Sequence, residues 1–122
     1  MSVDPPAIDA LIALRDAMRD FAAEREWEVF HTPKNLAMAL AGEAGEVIEH
    51  FQWLTAEQSA ALPPDTREEV AFELADVLLY LVRLADVLDI DLADAARRKI
   101  ALNAQRYPVE RARGRAVKHD RL

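Results

Sequence analysis

Two hydrophobic stretches that each carry a pair of acids constrain the fold of this chain more than any other feature. The pairs are Glu43-Ala-Gly-Glu46, within residues 36–54, and Glu73-Leu-Ala-Asp76, within residues 66–88. A spacing of three makes the two acids of a pair neighbours on one face of an α-helix. At 100° per residue, the apolar residues of each stretch fill an arc of about 120° beside the first acid. Both stretches are therefore predicted to be amphipathic helices with carboxylates along one edge of a core-facing stripe, which includes Ile48 and Leu74.

The placement of these acids predicts a metal site between the two helices. A carboxylate at the edge of a hydrophobic core costs free energy unless a positive charge joins it. Mg²⁺ and Mn²⁺ are hard cations that prefer such oxygen ligands. The alternative is an internal ion-pair network, because His50, Glu69 and Arg83 lie near the acids along the chain. A single acid pair is also common as solvated charge on an exposed helix.

The composition indicates one globular domain. The chain has 122 residues, of which 52% are hydrophobic and 30% are charged. Because there is no cysteine, disulfides, a thiolate nucleophile and a thiolate zinc site are excluded. The longest apolar run, residues 77–82, is too short to span a membrane. The first residues have neither a basic leader nor an apolar signal core, so we expect a cytoplasmic protein with no membrane partner.

The net charge of −7 is unevenly distributed along the chain. Residues 106–122 contain six Lys and Arg against two acids, a net charge of +4, which leaves −11 for the first 105 residues. Such an acidic body argues against non-specific DNA or RNA binding, so no nucleic-acid partner is expected. The basic segment either binds a phosphate-bearing small molecule, binds the acids of a neighbouring subunit, or is a solvated tail.

Helix-capping signals and hydrophobic periodicity predict four helices. The caps and helices are Asp4 before a helix to about residue 28, Thr32 with Pro33 before one to about residue 53, Thr66 with Glu69 before one to about residue 88, and Asp91 with Asp94 before one over 92–105. Residues 55–65 form a long connector, predicted to be a crossover or a lid. Strand signals are absent. We therefore predict an all-α fold, a small four-helix bundle whose two most hydrophobic helices need a partner chain to cover them.

Side chains outside the acid pairs suggest a nucleotide pocket. Lys99, Asn103 and Arg106 lie at i, i+4 and i+7, on one line of the fourth predicted helix, where they can hold phosphate. The aromatic candidates for stacking on a base are Trp27, Trp53 and Tyr80. His31, near a predicted helix start, can bind phosphate or assist proton transfer. The alternatives are ordinary surface charge for the cations, core packing for the rings, and a local cap or a surface position for the histidine.

Other catalytic classes lack their motifs in this sequence. There is no glycine-rich phosphate loop, no nucleophile elbow and no zinc-protease helix motif. A di-iron bundle needs Glu-x-x-His on two helices. Neither acid pair has a histidine at that spacing, since His50 is four residues after Glu46.

Several motifs that occur in order resemble one known family. They are Phe21-Ala-Ala-Glu-Arg-Glu-Trp27, Phe30-His-Thr-Pro-Lys-Asn-Leu36, Gly42-Glu-Ala-Gly-Glu46, Phe51-Gln-Trp53, Glu73-Leu-Ala-Asp76-Val-Leu-Leu-Tyr80 and Lys99-x-x-x-Asn103-x-x-Arg106-Tyr-Pro108. Together they look like the signature of the MazG-like all-α nucleoside triphosphate pyrophosphohydrolases, and within that superfamily the chain is most similar to the dCTP pyrophosphatases. The resemblance covers about residues 11–108. We accordingly predict a MazG-like domain over 1–108 and a basic C-terminal tail over 109–122.

The resemblance implies Mg²⁺-dependent cleavage of a dNTP between its α- and β-phosphates, giving a monophosphate and pyrophosphate. The expected substrate is dCTP or a modified dCTP, the role is nucleotide-pool house-cleaning, and Mn²⁺ is a possible substitute for Mg²⁺. The family also implies a homo-oligomer, commonly a tetramer, with a dimer as the alternative. Pockets in such an assembly are completed across subunits.

The same resemblance implies roles for individual residues. The metal ligands would be Glu43, Glu46, Glu73 and Asp76. Trp27, Trp53 and Tyr80 would belong to the base and sugar pocket, and Lys99 and Asn103 to phosphate binding. Glu46 and Glu73 are the predicted catalytic carboxylates, with Glu46 as the acceptor of a proton from the attacking water.

The sequence departs from the family pattern at one position of the expected base pocket. Met18 stands where some relatives have a histidine near the base, which leaves a preference for dUTP or for a broad range of dNTPs open. A non-catalytic nucleotide-binding helical module is the alternative from a different functional class.

Overall fold

The computed structural model of the chain describes residues 6–122, with side chains from Ala10 onward. These residues form six α-helices and two single 3-10 turns, and none of them is in a strand. The helices are α1 (Pro6–Glu24), α2 (Pro33–Phe51), α3 (Ala56–Ser59), α4 (Pro64–Val87), α5 (Leu92–Arg106) and α6 (Val109–Ala112), and the 3-10 turns are Glu28–Phe30 and His119–Arg121. The prediction of an all-α fold is confirmed, and α1, α2, α4 and α5 correspond to the four predicted helices.

Two of the predicted helix caps are present. Thr32 accepts a hydrogen bond from the backbone N–H of Asn35 at 3.2 Å, with Pro33 in the first turn of α2. Asp91 caps α5 by accepting from the N–H of Asp94 at 3.0 Å. Such caps satisfy amide donors that the first helical turn leaves without partners. The predicted cap at Asp4 lies outside the described residues.

The predicted capping box of Thr66 with Glu69 is wrong. Helix α4 begins at Pro64, with Pro63 as its N-cap and no side-chain cap. The fixed φ of proline and its missing N–H suit the first helical position, so the helix starts two residues before the predicted cap. Thr66 therefore already lies inside the helix.

The connector between α2 and α4 is partly helical. Thr55 and Gln58 form a reciprocal capping box that begins the short helix α3, with hydrogen bonds of 3.1 Å and 3.0 Å. The connector borders a groove of about 640 Å³ whose lining includes His50 and Thr66. It joins two helices that pack directly against each other.

The first compact unit ends at Ile90 and is organised around α4, against which both α1 and α2 pack. Its buried core consists of small and branched apolar residues and one charged residue, Arg83, which is only 6% exposed. The apolar members are Ala22, Leu36, Val70, Val82 and Ala85. Two ion-pairing side chains, Arg19 and Asp86, also join α1 to α4.

Part of the apolar stripe predicted for α2 and α4 is not buried within the single chain. Ile48 is 59% exposed and Leu74 is 54% exposed. These two stripe residues therefore lie outside the core of the single chain, and their predicted coverage by a partner chain stays a prediction. Periodicity reports which residues share a helix face, but it does not report whether the same chain covers that face.

The second compact unit, Asp91–Leu122, holds α5 and the basic segment. The ring of Tyr107 meets that of His119 edge to face at 5.8 Å, and its hydroxyl accepts a hydrogen bond from the His119 N–H at 3.2 Å. These contacts order the segment after α5, with Gly114 at a positive φ of 72° in the intervening turn. The functional boundary predicted at residue 108 stays a prediction.

Across residues 6–122, no helix combines the length and the apolar character that crossing a membrane requires.

Candidate metal and nucleotide site

Helices α2 and α4 bring three of the four predicted acids together. One carboxylate oxygen from each of Glu43, Glu73 and Asp76 lies within 4.8 Å of the others. Glu43 and Glu73 are partly buried, whereas Asp76 is exposed. Helices α2 and α4 pack directly against each other, which brings carboxyls of the two helices together. Glu43, Glu73, Asp76 and the adjacent Glu46 are called the acid cluster below.

The acid cluster is electrostatically unfavourable when every member is ionised. Burial raises the pKa of Glu43 to about 7, and the nearby carboxyls of Glu46, Asp76 and Glu73 add to the shift. Hydrogen bonding to the Glu46 carboxyl, together with burial, raises the pKa of Glu73, while His50 acts in the opposite direction. Two carboxyls can share such a hydrogen bond only when one of them carries a proton. At neutral pH a retained proton and a bound cation thus compete for the acid cluster.

Among the side chains of residues 10–122, two oxygens of the acid cluster have no partner. Oε2 of Glu43 and Oε2 of Glu73 are buried and make no hydrogen bond. A buried carboxylate oxygen without a donor or cation is costly. A hard divalent cation with oxygen ligands supplies the missing positive charge, so the residues present fit such an ion. The fourth predicted ligand, Glu46, is exposed and adjoins both carboxyls, and its role as a ligand stays a prediction.

The alternative of an internal ion-pair network does not account for the acid cluster. Among residues 10–122, no lysine or arginine lies within ion-pair distance of its four carboxyls. His50 is the nearest basic group, with Nε2 at 4.0 Å from Glu73 Oε1 and Nδ1 at 3.9 Å from Glu69 Oε2. These distances are too long for hydrogen bonds.

Of the predicted aromatic residues, Trp27 lies beside His31, whereas Tyr80 and Trp53 lie on α4 and after α2. The ring of Trp27 contacts that of His31 edge to face, with centroids 6.4 Å apart, and it meets Phe21 on another side at 5.7 Å. Tyr80 is partly buried on α4, one turn after Asp76. Trp53 follows the end of α2 and is 86% exposed. Trp27 and His31 are therefore brought together, and the roles of all four as nucleotide contacts stay predictions.

The three predicted phosphate-binding side chains lie in the second unit. Lys99, Asn103 and Arg106 all belong to α5 and all are exposed, at the spacing that places them on one line of the helix. Their availability fits a role in binding phosphate, which stays a prediction.

Comparison with known proteins gives the site its family context. The MazG-like family model matches residues 39–122, a range that contains all four acids and the three α5 side chains. The chain belongs to the MazG-like family. Its relatives include mouse and human dCTP pyrophosphatase 1, which are 47% and 44% identical to it over 111 residues, covering 89% of this chain. The chain spans 65% of the length of each of these two relatives.

A solved structure with the same fold is a pyrophosphatase from Archaeoglobus fulgidus. It superposes on this MazG-like chain with a TM-score of 0.76 at 35% identity, and the match covers 88% of this chain and 98% of the archaeal one. The recognition of the family from its motifs is thus confirmed by sequence and by fold.

One group of interacting residues in this MazG-like chain was not predicted. Arg83 donates a hydrogen bond from Nε to Nδ1 of His31 at 3.0 Å and lies 3.4 Å from Asp86, which pairs with Arg19. Arg19, Asp86, Arg83 and His31 are called the arginine network below. The available signal was a single arginine directly after the longest apolar run of the chain. Its partner His31 is 52 residues away, beyond the reach of helical periodicity.

Proposed function

We propose that this MazG-like protein is a nucleoside triphosphate pyrophosphohydrolase, which hydrolyses a dNTP between the α- and β-phosphates to a dNMP and pyrophosphate. The observation that carries the proposal is the meeting of Glu43, Glu73 and Asp76, with two buried oxygens that lack a partner in the described part of the chain. Triphosphates bring further oxygens to a divalent cation. The names of the mouse and human relatives, dCTP pyrophosphatase 1, support the same reaction class.

The acid cluster would hold Mg²⁺, or Mn²⁺ as a substitute, through Glu43, Glu73 and Asp76, with Glu46 as the proposed fourth ligand. When bound, the ion would neutralise triphosphate charge and stabilise the pyrophosphate leaving group. The protein's own contribution is to keep these carboxyls on two packed helices, so that little rearrangement is needed at binding. Helix packing therefore preorganises the site.

The proposed proton acceptor is Glu46. Its carboxyl is exposed and adjoins Glu43 and Glu73, so it combines access to water with a position beside the proposed ligands. A general base must lie within hydrogen-bond reach of the proton it accepts. Glu73 is proposed as the second catalytic acid, because it is partly buried between the two helices and borders both Glu46 and Asp76.

The roles of individual side chains in nucleotide binding are proposed residue by residue. Trp27, Trp53 and Tyr80 would contact the base and sugar, and stacking on one ring is worth about 1–3 kcal/mol. His31 would donate a hydrogen bond to the nucleotide. Lys99, Asn103 and Arg106, which form an exposed line on α5, would bind phosphate.

We propose dCTP or a modified dCTP as the substrate, from the names of the relatives. Met18 is partly buried on α1. Its thioether is only a weak acceptor and has no donor, so it offers the base less hydrogen bonding than a histidine would. A preference for dUTP or for many dNTPs is the alternative that a substrate panel decides.

The proposed assembly is a homo-oligomer, a tetramer or a dimer. Exposed apolar side chains on α2 and α4, among them Met38, Ile48 and Phe72, support it, since they are 64%, 59% and 65% exposed in the single chain. Burying such side chains between subunits is favourable. A role in the nucleotide pool is consistent with a cytoplasmic location, which we also propose.

The test is hydrolysis of a panel of natural, methylated and halogenated dNTPs with Mg²⁺ in ¹⁸O-labelled water. We expect pyrophosphate and a dNMP that carries the label, because water attacks the α-phosphorus. Glu73→Gln is the variant expected to lose most of the turnover, and Glu68→Gln, at an exposed acid on the same helix, is the matched control. Nucleotide binding by calorimetry without any turnover would overturn the proposal and favour a non-catalytic binding module.

A further inference from the structure

Arg83 is a buried cation that the proposed reaction does not use. It lies on α4 with a side chain only 7% exposed, and its Nε donates to Nδ1 of His31 at 3.0 Å. His31 follows the 3-10 turn and directly precedes Thr32, the N-cap of α2. A buried arginine of α4 therefore contacts the residue that precedes the N-cap of α2.

This contact determines where His31 carries its proton. The Nε–H of arginine is only a donor, so Nδ1 of His31 must present a lone pair, and the proton of the neutral ring is then on Nε2. Burial, together with the charge of Arg83, lowers the pKa of His31 and opposes a second proton. His31 is thus held as a neutral ring whose remaining polar group is a single donor, Nε2–H.

The rest of the arginine network holds Arg83 in place. Its Nη1 lies 3.4 Å from Asp86 Oδ2, and Asp86 accepts two hydrogen bonds from Arg19 of α1, at 3.0 Å and 2.6 Å. Asp86 is 12% exposed and the Arg19 side chain is 51% exposed, so these charge-assisted bonds are shielded from solvent on the Asp86 side only. Arg19 of α1 thus helps to hold Arg83 in position, because both arginines contact Asp86.

Nε2 of His31 is available for a ligand. Within the described part of the chain it makes no hydrogen bond, and the residue is partly exposed beside the ring of Trp27. A donor of fixed position next to an aromatic face suits a ligand that carries both a flat ring and oxygen acceptors.

We propose that Arg83 is a positioning residue, which fixes the Nε2–H tautomer of His31 so that the ring donates one hydrogen bond to an oxygen of the nucleotide bound beside Trp27. This inference rests on the proposed function for the identity of the ligand. The fixed tautomer itself is independent of that function, because it needs only the two side chains that form the contact.

The first experiment reads the tautomer directly in the full-length protein. Long-range ¹H–¹⁵N NMR of histidine-labelled protein distinguishes a protonated ring nitrogen from an unprotonated one, and His31→Gln identifies the signals. We expect protonated Nε2 and unprotonated Nδ1 in the wild type without nucleotide. Arg83→Met should give a mixture of tautomers, whereas Arg67→Met, an exposed arginine on the same helix, should leave the pattern unchanged.

The second experiment tests whether Arg83 acts through His31. For Arg83→Met we expect about a tenfold rise in KM with a smaller change in kcat, the loss expected for one hydrogen bond to the ligand. Arg83→Met combined with His31→Ala should have no higher KM than His31→Ala alone, because the two side chains act as one unit. A purely structural role for Arg83 would make the two effects add.

The outcomes separate this inference from the proposed function. If the wild-type protein shows no turnover, only the proposed function is overturned. The NMR experiment still determines the tautomer, and the affinity for dCTP, measured by calorimetry, then replaces KM. If Arg83→Met does not fold, the wild-type spectrum still decides whether Nε2 is protonated. An unprotonated Nε2 in the wild type, a pattern unchanged in a folded Arg83→Met, or additive effects in the double variant would each overturn the inference.

Discussion

The acid cluster and the arginine network are two groups of charged side chains on the same helix, α4, and they differ in how their charges are satisfied. In the arginine network each buried charge has a partner of opposite charge or a hydrogen-bond acceptor. In the acid cluster, charges of one sign meet, and two buried oxygens have no partner among the residues that the structure describes. The first arrangement stabilises the fold by itself, whereas the second requires a proton or a ligand. The arginine network therefore serves the fold, whereas the acid cluster is available to bind a ligand.

The largest expected effect comes from removing a carboxylate of the acid cluster. Glu73→Gln should lower kcat/KM for the preferred dNTP by about 100-fold or more, the range seen when one preorganised electrostatic group is lost. The same change should not destabilise the metal-free protein, because it removes a charge from a crowded acidic site. Steady-state kinetics with Mg²⁺, and thermal unfolding in EDTA, measure the two quantities.

Glu68→Gln is the control for that pair of measurements, since Glu68 is exposed on α4 and outside the acid cluster. A Glu73→Gln protein that unfolds more readily in EDTA than the wild type would contradict the view that the acid cluster is destabilising without a ligand.

Removing a charge from the arginine network should have the opposite pattern. Asp86→Asn should lower the free energy of unfolding by about 2 kcal/mol, because Arg83 and Arg19 lose their shared anionic partner and Arg83 is left buried. Chemical denaturation in EDTA measures this loss. The affinity for Mg²⁺ should stay within twofold of the wild type, and a large loss of Mg²⁺ affinity would show that the two groups are not independent.

The acid cluster could be predicted from the sequence. The arginine network could not, and the reason is physical. The spacing of Glu43, Glu73 and Asp76 sets the helix face that each occupies, so periodicity predicted their convergence. Arg83 lies on nearly the same face of α4 as Asp76. At 100° per residue, Arg83 is 280° around the helix from Glu73, and Asp76 is 300° around it. It is nevertheless about 10 Å further along the axis than Asp76. Its partner His31 comes from a distant turn, which no local pattern reports.

The exposed residues of the apolar stripe also show what helical periodicity leaves undetermined. Ile48 and Leu74 follow the same period as the buried Leu36 and Val70, yet they are more than half exposed in the single chain. A helix face can be covered by the same chain or by another copy, and the period is identical in both cases. The helix start at Pro64 was missed because a capping signal at Thr66 and a proline signal compete within two residues.

The pH dependence of stability should also differ between the two groups. The folded, metal-free protein keeps the proton of Glu43 to about pH 7, whereas the unfolded chain loses it near the ordinary value of 4.5. Between these values the unfolded state binds fewer protons, so rising pH favours unfolding. We expect the free energy of unfolding in EDTA to fall from about pH 5 to about pH 7.5, as measured by urea denaturation at several pH values.

Two changes should flatten that slope. Mg²⁺ binds the ionised carboxylates and should remove most of the fall, and Glu43→Gln should reduce it without metal. The arginine network contributes with the opposite sign and at lower pH, because its partners lower the pKa of Asp86 and its contribution is lost as pH falls. An unfolding free energy that rises across pH 5 to 7.5 in EDTA would argue against the perturbed acid cluster.

The smallest expected effect comes from the helix cap that follows the arginine network. Thr32→Ala removes the acceptor for the Asn35 N–H and should lower the free energy of unfolding by about 1 kcal/mol. Because Thr32 follows His31 directly, and Glu43 lies three turns further along α2, the loss should broaden the His31 NMR signals and leave the Mg²⁺ dissociation constant unchanged. Thr32→Ser keeps the hydroxyl and is the matched control. A change in Mg²⁺ affinity in Thr32→Ala but not in Thr32→Ser would mean that the start of α2 sets the position of Glu43, and the two charged groups would then be coupled through that helix.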